Sequence, residues 1–210
     1  MIGASGWLGG AVARELLARG HEVTAIGRDS SRLAAVEGAR AVAVDVNDRE
    51  ALAAVLAGHD AVVCSVTDRT TDDRSIIPRT ASILLEVLPQ ADVRRLLWVG
   101  GGGSLEIEPG ERAVDQPGFP EQYKAEALAQ AEALAILRDS NGDVDWTYLS
   151  PPMHHLEPGE KTGGYRVQGG DSPVVGENGE GRISSGDLAS ALVDELEQPQ
   201  FARQRFTAGS

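Results

Sequence analysis

Three glycines near the start of the chain stand three residues apart, in Met1-Ile2-Gly3-Ala4-Ser5-Gly6-Trp7-Leu8-Gly9. The G-x-x-G-x-x-G spacing suits a strand that turns tightly into a helix, where the missing side chains let the first backbone N–H groups of the helix face a pyrophosphate. The chemistry it points to is dinucleotide binding. With 25 glycines in 210 residues such spacing also arises by chance, so it carries weight only between a strand and a helix.

The groups that could move a proton narrow the chemistry further. Reduction of a ketone needs a placed acid for the developing alkoxide, and a Tyr-x-x-x-Lys pair supplies one because the lysine charge lowers the tyrosine pKa. Four residues after Tyr123, Tyr148 and Tyr165 stand Ala127, Pro152 and Gly169, so that pair is absent. A flavin, quinone or similar conjugated acceptor takes hydride into a delocalised system and draws its proton from water or a loosely placed acid, which fits these residues better. His154 is the best proton donor by type, since imidazole titrates near neutrality. Against it, a His-His pair in a loop is most often solvated. Tyr123, beside Lys124, suits either a pocket wall or simple packing at a helix start.

Cofactor choice is read where the second strand ends: an acid there holds a ribose 2′-OH, an arginine accepts a 2′-phosphate. Residues 23–28 read Val-Thr-Ala-Ile-Gly-Arg, and Glu22 lies at the wrong end of that strand. Arg28, helped by Arg32, therefore points to NADP(H). The competing reading makes Arg28 a solvated surface residue and gives the ribose to Asp29. Four histidines and one cysteine show neither H-E-x-x-H nor C-x-x-C spacing, so no metal site is expected. The triphosphate-binding pattern G-x-x-x-x-G-K-[ST] is missing too. Cys64, Trp98 and Trp146 sit in apolar runs and read as core.

The elements that would position these groups alternate. Leu8, Val12 and Leu16 recur at helical spacing directly behind the glycines, with Gly20 where a helix ends. Strands are expected at 21–26, 41–46, 60–66, 95–99 and 145–149, separated by helices capped at Asp29 or Ser30 and at Asn47 or Asp48. A further helix through Ile83, Leu84 and Val87 should stop before Pro89. Pro120 suits the first position of an alanine-rich helix over 121–138, and Ser184-x-x-Asp187 forms a capping box before the last helix. Arg205-Phe206-Thr207 reads as a closing strand. Near-continuous apolar strands alternating with helices imply an α/β fold, a doubly wound parallel sheet of three layers. The Pro-, Gly- and polar-rich stretch 150–183, with strand-like pieces at 165–167 and 173–175, reads as a small substrate-covering lobe within a single domain spanning 1–210. A first strand of such a sheet usually has about five residues, whereas two precede Gly3, so either the strand continues upstream of Met1, the expectation favoured here, or its residues have been lost, or a partner fills the gap.

A net charge of -13 argues against nucleic acid and anionic membrane surfaces as partners. One cysteine, no apolar run of membrane length and no signal-peptide pattern point to a soluble cytoplasmic protein, acting as a monomer or homodimer on a small molecule.

The glycine motif, residues 23–28, Val99 to Leu105, Glu121-Gln122-Tyr123-Lys124, Asp145 to Pro152 and Arg182-Ile183-Ser184-x-x-Asp187 together resemble the atypical short-chain dehydrogenase/reductases. More narrowly, the chain is similar to the group of assigned NADH-flavin reductases, related to flavin and biliverdin-IXβ reductases. The resemblance covers nearly the whole chain and implies a Rossmann-type domain holding NAD(P)H across the carboxyl ends of the strands. It implies cofactor contacts from Gly3, Ser5, Gly6, Trp7, Leu8 and Gly9, from Arg28, and from Ser65, Val66, Gly100 and Pro151. It also places Asp45 and Val46 against the adenine, although Asp45 equally suits a turn or cap. Ser104 falls near a serine that this superfamily keeps facing the nicotinamide, or is a plain loop hydroxyl. His154, just beyond Ser150-Pro151-Pro152, falls at the nicotinamide end. The expected activity is NAD(P)H-dependent transfer of hydride to a flavin, with FMN or FAD as substrate, a quinone or a similar acceptor. The alternatives are a non-catalytic NADP(H)-binding redox sensor and, lower, an NAD(P)-dependent epimerase or isomerase.

Overall fold

In the central apolar runs both alternate sets of side chains are hydrophobic, so each strand needs cover on two faces, and the chain provides it with two layers of helices. The computed structural model describes residues 1–67, 74–153, 155–177 and 179–210. In chain order the elements are α1 (Trp7–Ala18), β1 (Thr24–Gly27), α2 (Ser30–Ala34), β2 (Arg40–Ala43), α3 (Arg49–Leu56), β3 (Ala61–Cys64), α4 (Ile76–Gln90), β4 (Arg95–Val99), β5 (Glu106–Glu108), β6 (Glu111–Arg112), α5 (Glu121–Asp139), β7 (Asp145–Ser150), β8 (His155–Glu157), β9 (Arg166–Gly169), β10 (Arg182–Ser184), α6 (Ser185–Glu197) and β11 (Gln204–Gly209).

The central sheet runs β2-β1, then Ile2, then β3-β4-β7-β11-β9. All its neighbours are parallel except β9, which runs antiparallel to β11. Ile2 bridges Ile26 on one side and Cys64 on the other. Its amide donates to the Val63 carbonyl at 2.8 Å, and its own carbonyl accepts from the Ser65 amide at 2.9 Å. The Met1 amino group donates to the Thr24 carbonyl at 2.8 Å. Two residues thus join the two halves of the sheet.

Side-chain alternation sorts the core. Val62, Cys64, Leu96, Trp98, Trp146 and Tyr148 face one layer, where they meet Leu52 and Leu56 of α3, Leu84 and Leu88 of α4 and Leu134 and Leu137 of α5. Val63, Leu97, Val99, Leu149 and Phe206 face the other, against Val12 and Leu16 of α1, Leu33 of α2 and Leu188 and Leu192 of α6. The fold is a doubly wound α/β sandwich of Rossmann type. No helix among the described residues is long and apolar enough to cross a membrane.

Several elements differ from the expectations above. α4 runs on through Pro89, because a proline in the last turn forfeits only one hydrogen bond and the Ala91 and Asp92 amides still donate back into the helix end. Pro120 is the N-cap of α5 rather than its first helical residue. β11 is an interior strand, since β9 adds outside it as an antiparallel edge. In the stretch 150–183 the pieces that pair are β8, with β10, and β9, whereas 173–175 makes no ladder.

One carboxylate straps that stretch to the helical layer. The Ser184 hydroxyl accepts from the Asp187 amide at 3.0 Å, as the capping box predicts. The Asp187 side chain instead accepts from the Thr162 and Gly163 amides, both at 2.8 Å, and from the Thr162 hydroxyl at 2.7 Å. Burial pushes the Asp187 carboxyl up, but these donors outweigh it and hold the group below the usual carboxylate range. Hydrogen bonds and neighbouring cations do the same for Glu15 and Asp194 against burial.

A depressed folded-state pKa means that the unfolded chain binds the extra protons, so this stability is full above the unfolded value and is lost as pH falls through it towards the folded one. These three carboxylates should therefore contribute no change to urea midpoints down to about pH 5 and should lower the midpoints below about pH 4. Asp187→Asn should shrink that acid-side drop; an unchanged drop would show that the Asp187 bonds do not depend on its charge.

Candidate nucleotide-binding site

From Ile2 the chain moves outward to β1 and β2, then crosses back to β3 and β4 on the other side. Where the winding reverses, the two crossovers diverge and leave a crevice at the carboxyl ends of the strands. A cleft of about 370 Å³ lies there, floored by the glycine turn and the first residues of α1.

Backbone approach shapes the floor. Gly3 has φ +82, and a Cβ on it would lie 2.3 Å from the Ser65 carbonyl oxygen. A Cβ on Gly9 would lie 2.0 Å from the Gly3 carbonyl oxygen. The Gly6 amide donates to that same carbonyl at 3.0 Å, closing the turn. α1 then starts with no capping side chain and no acid in its first turn. By contrast α2, α3 and α6 are capped by Asp29, Asp48 and Ser184. An uncapped N-terminus whose residues Trp7, Leu8 and Gly9 line a cleft is suited to a bound anion, which takes the place of the cap.

Beyond β1 the cleft is cationic. Arg28 and Arg32 both line it from exposed positions. Asp29 lies between them, but its Oδ1 accepts from the Ser31 amide at 2.9 Å, the Ser31 hydroxyl at 2.6 Å and the Arg32 amide at 3.3 Å. The Ser31 hydroxyl foremost holds this carboxyl low. That oxygen is thus engaged in capping α2, and the cations on this wall of the cleft are Arg28 and Arg32.

The far end is built by Ser65, Val66 and Thr67 after β3, Val99 and Gly100 at the end of β4, and Glu126 and Gln130 of α5. Gln130 is held from beneath. Its Oε1 accepts from the Trp98 indole at 3.0 Å and its carbonyl from the Tyr148 hydroxyl at 3.0 Å, while the Gly101 amide donates to the same tyrosine oxygen at 3.2 Å. A Cβ on Gly100 would sit 1.9 Å from the Tyr148 ring, so that position accepts no side chain. Burial pushes the Tyr148 phenol above its ordinary value and keeps it a neutral hydrogen-bonding group. The Thr67 hydroxyl donates to Glu126 Oε1 at 3.0 Å.

Of the residues singled out in the sequence, Gly3, Ser5, Gly6, Trp7, Leu8, Gly9, Arg28, Ser65, Val66 and Gly100 meet in this one cleft. Those of the others that are described lie apart from it. Asp45 forms a local turn, its Oδ1 accepting from the Asn47 amide at 2.9 Å and side-chain amide at 2.7 Å. Val46 packs into the core. Ser104 is buried, and its hydroxyl accepts from Arg205 Nη1 at 2.9 Å. Tyr123 is 53% exposed on the first turn of α5. Pro151 is buried, with its carbonyl oxygen 2.7 Å from where a Gly102 Cβ would stand. His154 lies outside the described residues. The described residues contain no cluster of groups able to hold a metal.

Thr67, Val99, Glu126 and Gln130 complete the cleft without having been singled out. The last two carry a signal in retrospect: four residues apart, they share one helix face, the spacing that Tyr-x-x-x-Lys would have used. Taken together, the side-chain-free turn, the uncapped helix and the paired arginines fit a dinucleotide that lays its pyrophosphate over Gly6 to Gly9, its adenosine end beyond β1 and its nicotinamide end towards α5.

Comparison with known proteins identifies the family. A family model described as NAD(P)H-binding matches residues 3–199. YwnB of Bacillus subtilis is 35% identical over 212 residues, covering 100% of this chain and 97% of its own. A Burkholderia pseudomallei structure assigned as an exported protein is 39% identical, with a TM-score of 0.89 and coverage of 100% and 97%. A Streptococcus pneumoniae structure assigned as an NADH-flavin reductase is 34% identical, with a TM-score of 0.89 and the same coverage, 100% and 97%. With this match spanning almost its whole length, the chain belongs to the NAD(P)H-binding family.

Proposed function

We propose that the protein is an NAD(P)H-dependent reductase that passes hydride to a flavin, quinone or similar conjugated acceptor, with NADPH preferred over NADH. The observation that carries this reading is a nucleotide cleft with cations at its ribose end and no tyrosine-lysine pair at its other end. The bound cofactor would supply the hydride. The protein's part is positioning, which suits an acceptor that needs no strong acid. Gly3, Gly6 and Gly9 give the pyrophosphate access to backbone amides, Arg28 and Arg32 take the 2′-phosphate, and Gly100, held open by Tyr148, leaves room at the reacting end. The assignment of the pneumococcal relative supports a flavin as acceptor.

His154 is the proposed proton donor. The protein is proposed to work in the cytoplasm, on its single buried thiol.

Steady-state NADPH oxidation with a panel of free flavins and quinones tests the reading, and turnover well above background is expected. Tight NADP(H) binding with no turnover on any acceptor would sink it in favour of a redox-sensing module. Arg28→Ala should weaken NADPH about tenfold while leaving NADH nearly unchanged; an equal loss for both would remove Arg28 from the 2′-phosphate. Gly9→Ala, whose Cβ meets the Gly3 carbonyl, should lower affinity for both cofactors by more than about tenfold and lower the melting temperature as well.

A further inference from the structure

Charge is distributed unevenly along the cleft. Among its described lining residues the cations are Arg28 and Arg32, both at the β1 end, and the acids are Asp29, spent on capping α2, and Glu126. Glu126 stands at the opposite end, on the α5 wall facing the loop after β3. It is half-buried and accepts from the Thr67 hydroxyl at 3.0 Å. One turn later Gln130 is pinned through Trp98 and Tyr148, which stops this part of α5 from drifting away from the strand ends. A carboxylate is therefore held in the half of the cleft that the cofactor reading above gives to the nicotinamide.

A nicotinamide ring is neutral when reduced and carries one positive charge when oxidised. Groups aimed at charge that develops during reaction lower its barrier, and a partly buried carboxylate acts more strongly than one in open water. We propose that Glu126 is the electrostatic partner of the oxidised nicotinamide: it favours the positive ring formed as the C–H bond breaks and the electron pair leaves with hydride for the acceptor. The acceptor takes its accompanying proton from solvent or from the donor named above, so Glu126 exchanges no atom. Its effect is to bias the site towards oxidising NAD(P)H. The inference rests on the cofactor reading above and is independent of which acceptor is used.

The test is the ratio of dissociation constants for oxidised and reduced cofactor, measured by titration for whichever pair, NADP(H) or NAD(H), the wild type binds tighter. In Glu126→Gln, Kd(oxidised)/Kd(reduced) should rise about fivefold to tenfold, with the cofactor-free melting temperature unchanged. Glu126→Asp, which keeps the charge, should stay close to the wild type. A ratio in Glu126→Gln within about twofold of wild type would overturn the proposal, as would an equal shift in Glu126→Asp. A purely proton-donating Glu126 would lower turnover without moving the ratio, and that outcome also counts against it. Wild-type protein that binds neither form overturns this inference together with the cofactor reading. Binding with the expected ratios but no turnover overturns only the reductase.

Discussion

Steric exclusion at the switch point of the sheet is the constraint on which the site depends. Gly3, Gly9 and the carbonyl of Ser65 approach so closely that an added methyl would overlap main-chain oxygen at distances of 2.0 to 2.3 Å. Because nothing intervenes, the two halves of the sheet close around Ile2, α1 starts directly above the strand ends, and its uncapped amides open into the cleft. The same closeness makes Ile2 sufficient as a bridge: its N–H and C=O pair with β3 while Met1 pairs with β1. Backbone hydrogen bonds, not side chains, hold the middle of the molecule together there.

A second constraint acts at the other end of the cleft. Trp98, Tyr148 and Gln130 form a buried polar chain between β4, β7 and α5, and each member has a partner, as burial requires. This chain sets how far α5 stands from the strand ends, keeps Gly100 bare, and holds the α5 face that carries Glu126 and Gln130 against the cleft. Among the described lining residues, arginines stand at one end of the cleft and Glu126 at the other. A third tie lies outside the cleft. Arg205 of interior β11 reaches Ser104 and Asp171, and Asp171 also pairs with Arg138 of α5, so the loop after β4 is moored to the late strands.

Much of the fold was legible in the residues because its causes are local. Helix starts at Asp29, Asp48 and Ser184 follow from oxygens that reach amides two or three positions ahead, and the central strands follow from apolar runs that need two covered faces. The glycine turn was legible for the same reason, since it depends on what the backbone lacks over nine residues. Pro89 is a local signal for a helix stop, whereas a helix that packs along its whole apolar face tolerates one missing donor in its last turn. The place of β11 was hidden because no local signal tells an interior strand from an edge.

The amino-acid sequence by itself determined the alternation of strands and helices, the glycine turn and the arginine beyond the second strand, all properties of contiguous residues. Tertiary structure alone decided which distant groups share the cleft. It turned Asp45 into its own local turn and Val46 into the core, gave the Ser104 hydroxyl to Arg205, and brought Thr67 and Glu126, 59 residues apart, within one hydrogen bond. The physical reason is that membership of a site at strand ends is set by sheet order and helix packing, and those arise from contacts far apart in the chain.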